Sequence, residues 1–217
     1  MHETSLNKLF NELSCDKGSE GIKGRPPHNY HLLYEKDMKP KKNDKVNILE
    51  IGILKGRSLE AFIKYFPNAE VYGIDTFSRI PPEKINILNH SRVHHILGDS
   101  MDKNISSYLK NRWSNIKFDF IIDDGYHSPD ANRLTFLNFI EFLKEDGIYY
   151  VEDAWPIHLM SQLEIDKTTF IPPRSCFTKN KIRDFLEVIK PYNYTEHDFR
   201  NITDRLAPDS FIFRITK

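Results

Sequence analysis

Residues Phe118–His127 read F-D-F-I-I-D-D-G-Y-H. An apolar run stops abruptly in two adjacent carboxylates and a glycine, with a histidine three residues past the second acid. A near-continuous apolar run of this length suits a strand covered on both faces, as in a parallel sheet. It would deliver Asp123, Asp124 and His127 to its carboxyl end. Burying an unpaired carboxylate is costly, so two side by side require a cation, strong donors or open water. A second apolar run, Gly147–Val151, ends the same way in Glu152-Asp153. Two strands tipped with paired acids predict one metal-bearing crevice.

The sequence around these runs alternates between two patterns. Val46–Ile51, Val71–Ile74 and Val93–Leu97 are strand-like. Ser58–Tyr65, Met101–Trp113, Ala131–Leu143 and Thr178–Ile189 have helical spacing, the last ended by Pro191. Such alternation predicts an α/β fold, a doubly wound and mostly parallel seven-stranded sheet. Tyr192–Phe199 and Ser210–Thr216 are strand-like with only Arg200–Asp209 between them. That is too short for a helical crossover, so an antiparallel C-terminal hairpin is expected.

The chain has 217 residues, 39% hydrophobic and 12% aromatic, enough for one large domain with a real core. Thirty-one basic residues balance 31 acidic ones, which argues against a nucleic-acid partner because such partners leave a basic footprint. Cys15 and Cys176 are too few for a disulfide scaffold and read as free thiols. Met1–Phe10 lacks a signal-peptide core, and no stretch approaches the roughly 18 apolar residues of a membrane helix. The expectation is a cytoplasmic protein with no membrane partner.

In an open parallel sheet, ligands sit outside the carboxyl ends of the strands. The first strand ends in E-I-G-I-L-K-G-R-S, Glu50–Ser58, where Gly52 and Gly56 allow a tight turn and close approach to a ligand. The spacing is not G-x-G-x-x-G, which counts against a dinucleotide. Asp75, ending the second strand before Thr76, can accept from both hydroxyls of a ribose or cap a helix. Asp99 and Ser100, after the third strand, can meet an adenine amino group or cap the next helix. Ala154–Phe177 is long for a plain connection and is expected to form a substrate flap, with Trp155 and His158 against a sugar.

Taken in order, these segments resemble the class I S-adenosylmethionine-dependent methyltransferases: E-I-G-x-x-x-G-x-S, Y-G-I-D, G-D-S and D-x-I-x-D-D-G. The resemblance implies S-adenosyl-L-methionine as cofactor, held by Glu50, Gly52, Gly56, Ser58, Asp75, Thr76, Asp99, Ser100 and Asp123. D-D-G-Y-H and Y-V-E-D, with upstream Asp16-Lys17-Gly18 and H-N-Y-H-L-L-Y-E at His28–Glu35, resemble more narrowly the metal-dependent sugar O-methyltransferases of the mycinamicin and macrocin type. That likeness implies that Asp124 and Asp153 ligate Mg2+ (or another divalent ion), with Glu152 and Glu35 as further candidate ligands. It makes His127 the catalytic base. Tyr126 stands where that group has serine and is expected to face substrate. Residues 1–45 would then cover the cofactor and metal site, with the methyltransferase domain at 46–217 and its flap around 154–177.

The implied reaction is O-methylation of a sugar hydroxyl in a glycan or secondary metabolite. A sugar hydroxyl is a very weak acid, so a divalent ion that polarises it and an imidazole that takes its proton are chemically apt. A catechol-type methyltransferase would use the same cofactor and metal. A cephalosporin hydroxylase-like oxygenase would want iron, typically on two histidines and a carboxylate, and no H-x-D or H-x-E occurs at these strand ends. A non-catalytic nucleotide-binding or assembly subunit is a third class, and a homo-oligomer is left open.

Overall fold

A computed structural model describes residues 4–114, 116–170, 172–202 and 208–217. Met1–Glu3 of the amino terminus, Ile171 of the expected flap and 203–207 of the expected hairpin connection lie outside the described residues.

Seven strands form one sheet: β1 (Asn47–Ile51), β2 (Glu70–Asp75), β3 (Val93–Leu97), β4 (Phe118–Asp123), β5 (Leu143–Val151), β6 (Asn193–Asp198) and β7 (Phe211–Thr216). Their spatial order is β3-β2-β1-β4-β5-β7-β6. The first five run parallel, and β7 pairs antiparallel with both β5 and β6. The chain reverses strand order after β3, returning to the other side of β1. This switch point lies between β1 and β4.

Alternate residues along each strand enter opposite layers, as the two-residue period requires. Ile121, Tyr149 and Phe213 join one core with α4 (Ile105–Trp113), α5 (Pro129–Phe139) and α7 (Lys179–Ile189). Ile122, Tyr150 and Ile212 join the other with α1 (Leu6–Glu12), α2 (His31–Met38) and α3 (Arg57–Tyr65). The N-terminal helices are thus part of a covering layer: Phe10 of α1 meets Phe62 of α3 edge to face, with ring centroids 6.0 Å apart.

Two boundaries differ from the periodicity. The helix expected over Ala131–Leu143 ends at Phe139, a single 3-10 turn follows, and Leu143 already pairs with Phe118 in the sheet. Strand pairing that buries Leu143 to 1% exposure overrides its helical spacing. The helix expected from Met101 begins at Ile105. Asp99 and Asp102 each accept the backbone N–H two residues on, at 2.9 Å, and these local turns compete with an earlier helical start. Three short helices lie outside the segments of helical spacing named above: α1, α2 and α6 (Gln162–Lys167). α6 sits within the expected flap and starts with a reciprocal capping box between Ser161 and Glu164.

Candidate functional site

Parallel pairing brings the carboxyl ends of β1 to β5 to one edge. The ladder continues one residue beyond the strands: Gly52 N donates to Ile74 O, Asp124 N to Ile51 O and Glu152 N to Asp123 O, each at 2.9 Å. The residues that end the apolar runs are therefore side by side. Gly52 has φ +92°, and a Cβ there would collide with the Asp124 carbonyl, so only glycine permits this close approach of β1 and β4.

A cavity of about 610 Å³ opens above this edge, a size usual for small-molecule and cofactor sites. Gly52, Ser58, Asp75, Thr76, Asp99, Ser100, Asp124, Tyr126 and His127 line it, with Asp16 and Lys17 from the N-terminal segment. Asp75 accepts three backbone N–H groups, from Ile53 (2.7 Å), Leu54 (3.1 Å) and Phe77 (2.6 Å). It thereby shapes the turn after β1. Gly56, at φ +69°, precedes α3 and is closed in by Ile85 and Ile87. Glu50 is fully buried beneath the cavity wall and accepts from the Ser58 hydroxyl at 2.5 Å, while its Oε1 has no hydrogen-bond partner. Burial pushes Glu50 up to about 7, against the pull of the Lys17 ammonium 3.7 Å away. Asp123 is likewise buried and pushed up to about 7 by desolvation, with Oδ2 unpartnered. The glycine turn at Gly52 and the Asp75, Asp99 and Asp124 carboxylates that line the cavity fit a bound cationic cofactor.

Asp124, His127 and Asp153 offer one ligand atom each, all within 4.8 Å of one another. His127 Nε2 is 3.6 Å from Asp124 Oδ1 and 4.0 Å from Asp153 Oδ2. His127 and Asp153 both have left-handed backbones, at φ +60° and +48°, an uncommon conformation for non-glycine residues. Burial pushes the Asp153 carboxyl up, but the neighbouring His28 and His127 and the Tyr30 hydroxyl outweigh it and hold Asp153 below the ordinary range. Hard carboxylate oxygens with one imidazole, partly open to solvent, fit a divalent cation.

The first acid of the Glu152-Asp153 pair has a different environment. Glu152 is 1% exposed and accepts from the Lys17 ammonium and the Tyr34 hydroxyl. Lys17 also donates to Asp124 Oδ2 at 2.5 Å. Despite burial, which disfavours its charge, Lys17 is held well above the ordinary lysine range by Asp124, Glu152 and Glu50. Three carboxyl groups (Glu50, Asp124 and Glu152) therefore share one ammonium, while Asp153 faces His28 at 3.4 Å and His127 at 4.0 Å.

Of the remaining residues singled out in the sequence, Glu35, Trp155 and His158 lie off the cavity. Glu35 accepts the backbone N–H of Asn7 at 2.9 Å and is outside the metal-competent group. Trp155 is 5% exposed and packs against Phe170 and Phe177 rather than lining the cavity. His158 pairs with Glu196 at 3.0 Å and also lies off the cavity. Tyr126 is 51% exposed at the cavity mouth. Conversely, Lys17, His28, Tyr30 and Tyr34 touch the acids although their roles were not read from sequence. The D-K-G and H-N-Y-H-L-L-Y-E segments that contain them were the available signal.

The strand order, the glycine turn after β1 and the antiparallel β7 define the Rossmann-like fold of class I methyltransferases. No family model matches the chain. It is 27% identical over 135 residues to mycinamicin VI 2''-O-methyltransferase of Micromonospora griseorubida, covering 59% of this chain and 32% of that protein. Demethylmacrocin O-methyltransferase of Streptomyces fradiae is 28% identical over 135 residues, with coverage of 59% and 32%. The chain spans about a third of the length of these curated relatives. Among solved structures, the MycE methyltransferase from the mycinamycin biosynthetic pathway, in complex with Mg, SAH and mycinamycin VI, superposes over 100% of this chain and 55% of its own. The TM-score is 0.67 at 21% identity. None of the helices among the described residues is long and apolar enough to cross a membrane.

Proposed function

We propose that this protein is an S-adenosylmethionine- and magnesium-dependent O-methyltransferase that methylates a sugar hydroxyl of a glycan or secondary metabolite. The observation that carries the reading is the convergence of Asp124 Oδ1, His127 Nε2 and Asp153 Oδ2 beside a cofactor-sized cavity. The sugar O-methyltransferase relatives supply the acceptor class.

In this reading Asp124 and Asp153 would hold the divalent ion, and His127 lies within reach of both carboxylates. When bound, the ion polarises the acceptor hydroxyl and lowers the barrier to its ionisation. His127 Nε2 takes the hydroxyl proton, a task suited to an imidazole near neutral pH. The turn at Gly52 and the Asp75 and Asp99 carboxylates would hold the cofactor, which would supply the methyl group for transfer. Tyr126, exposed at the mouth, offers an aromatic face to the sugar. Residues 1–45 act as the covering segment and 46–217 as the catalytic domain. A cytoplasmic location accords with the absence of a membrane-spanning helix among the described residues.

The test is direct. Purified protein, S-adenosylmethionine and Mg2+ are incubated with a panel of free, nucleotide-linked and aglycone-linked deoxysugars, and products are read by mass. Methylated sugar that disappears on chelation and returns with Mg2+ is expected. Calorimetry showing no S-adenosylmethionine binding would overturn the reading whatever the acceptor.

A further inference from the structure

Lys17 is an unusual lysine. Lysine is almost never fully buried unless paired, yet Lys17 is 2% exposed and its ammonium ends among three carboxyl groups. These come from three different strands: Glu50 in the last residues of β1, Asp124 just after β4 and Glu152 just after β5. The ammonium takes Asp124 by Oδ2, while Oδ1 of the same carboxylate faces His127. Glu152 is occupied on both oxygens, Oε2 by Lys17 and Oε1 by Tyr34. The arrangement therefore has two sides. One is closed by an internal cation, and the other is the open group of Asp124, His127 and Asp153.

We propose that Lys17 is a resident counter-cation of the strand-tip acids: it keeps the metal-free site folded and moderates the affinity with which a divalent ion is held. Acids this close repel one another, and in a poorly solvated setting the repulsion is weakly screened. A tethered ammonium offsets it permanently. The same positive charge, one carboxylate away from the open side, opposes the incoming ion. Lys17 also selects which oxygen of Asp124 remains available, and so acts as a positioning residue for the metal group. This rests on the proposed divalent ion beside Asp124 and Asp153.

The experiment compares wild type with Lys17→Met, a near-isosteric neutral chain, using Mg2+ alone as the probe. Thermal denaturation is recorded in chelator and in Mg2+, and Mg2+ affinity is taken by calorimetry. In chelator, Lys17→Met should melt below wild type, its Mg2+-induced rise in Tm should be larger, and its Mg2+ affinity about tenfold tighter. Should Lys17→Met not fold in chelator, Glu152→Gln is compared with Lys17→Met/Glu152→Gln. The double variant loses the ammonium together with one acid, and should still bind Mg2+ more tightly than Glu152→Gln. Equal or weaker Mg2+ binding without the ammonium, in a wild type that does bind Mg2+, would overturn the assignment of Lys17 alone. A wild type that binds no Mg2+ would remove the metal reading and this proposal together.

Discussion

The Tyr30 hydroxyl donates to Asp153 Oδ1 at 2.7 Å and accepts the Asp153 backbone N–H at 3.1 Å. One phenol thus pins both the side chain and the left-handed backbone of a residue 123 positions away. His28, stacked on Tyr30 with ring centroids 5.3 Å apart, approaches the same Oδ1 at 3.4 Å. The open member of the acid group is held by the N-terminal segment, not by its own strand. Tyr30→Phe should cost about 1–2 kcal/mol, because a largely buried N–H and carboxylate lose their partner. Denaturant unfolding measures that loss, and Mg2+ titration should show weaker binding. An unaltered Mg2+ affinity would mean that Asp153 needs no such support.

For His127, the expected behaviour separates chemistry from binding. Its Nε2 reaches toward Asp124 and Asp153, and its ring lines the cavity. His127→Ala should lower turnover by about 10²–10⁴-fold, the usual contribution of a positioned general base. S-adenosylmethionine affinity measured by calorimetry should stay within error of wild type. Turnover equal to wild type would remove the base assignment.

Asp75 combines two duties, since its carboxylate accepts three backbone N–H groups and also lines the cavity. Asp75→Ala should relax the turn after β1 and weaken S-adenosylmethionine binding, while Mg2+ affinity is unchanged. Weakened metal binding with intact cofactor binding would contradict the division of the edge into cofactor and metal ends.

Two buried carboxyl groups make the ligand-free protein sensitive to pH. Glu50 rises from 4.5 to about 7 and Asp123 from 3.8 to about 7, each through desolvation first. The folded state thus binds more protons than the unfolded state between the two sets of values. The stability these groups contribute is complete below pH about 4 and is lost as pH rises toward about 7. Asp153, held below the ordinary range, acts oppositely, its contribution disappearing as pH falls. Denaturation of the metal-free protein between pH 5 and 8, compared with Glu50→Gln, should show a shallower decline in the variant. Parallel curves would mean that Glu50 does not titrate there.

The strand and helix alternation was readable because it is local. Val46–Ile51, Val93–Leu97 and Phe118–Ile122 match β1, β3 and β4 to within a residue. The antiparallel ending followed from the short spacing of its two strands, which pair as β6 and β7. Glycine at 52 was also interpretable: a tight turn was expected there, and the contact that demands it is the Asp124 carbonyl. Trp155 shows the opposite case. Its position after two acids suggested a sugar contact, but an aromatic side chain packs wherever the flap supplies apolar partners, here Phe170 and Phe177.

What the sequence determined by itself is the α/β alternation and the acidic ends of two central strands. Apolar periodicity and an abrupt change from apolar to charged residues both act over a few neighbours. Only the tertiary structure decided which acids face the open group and which are already neutralised. Asp124 and Glu152 receive Lys17 from 107 and 135 residues away, and Glu152 receives Tyr34 from 118. A lysine in D-K-G has no local pattern that distinguishes a solvated side chain from a buried one. That outcome depends on the folded N-terminal layer, which carries Lys17 to where acids of three strands converge.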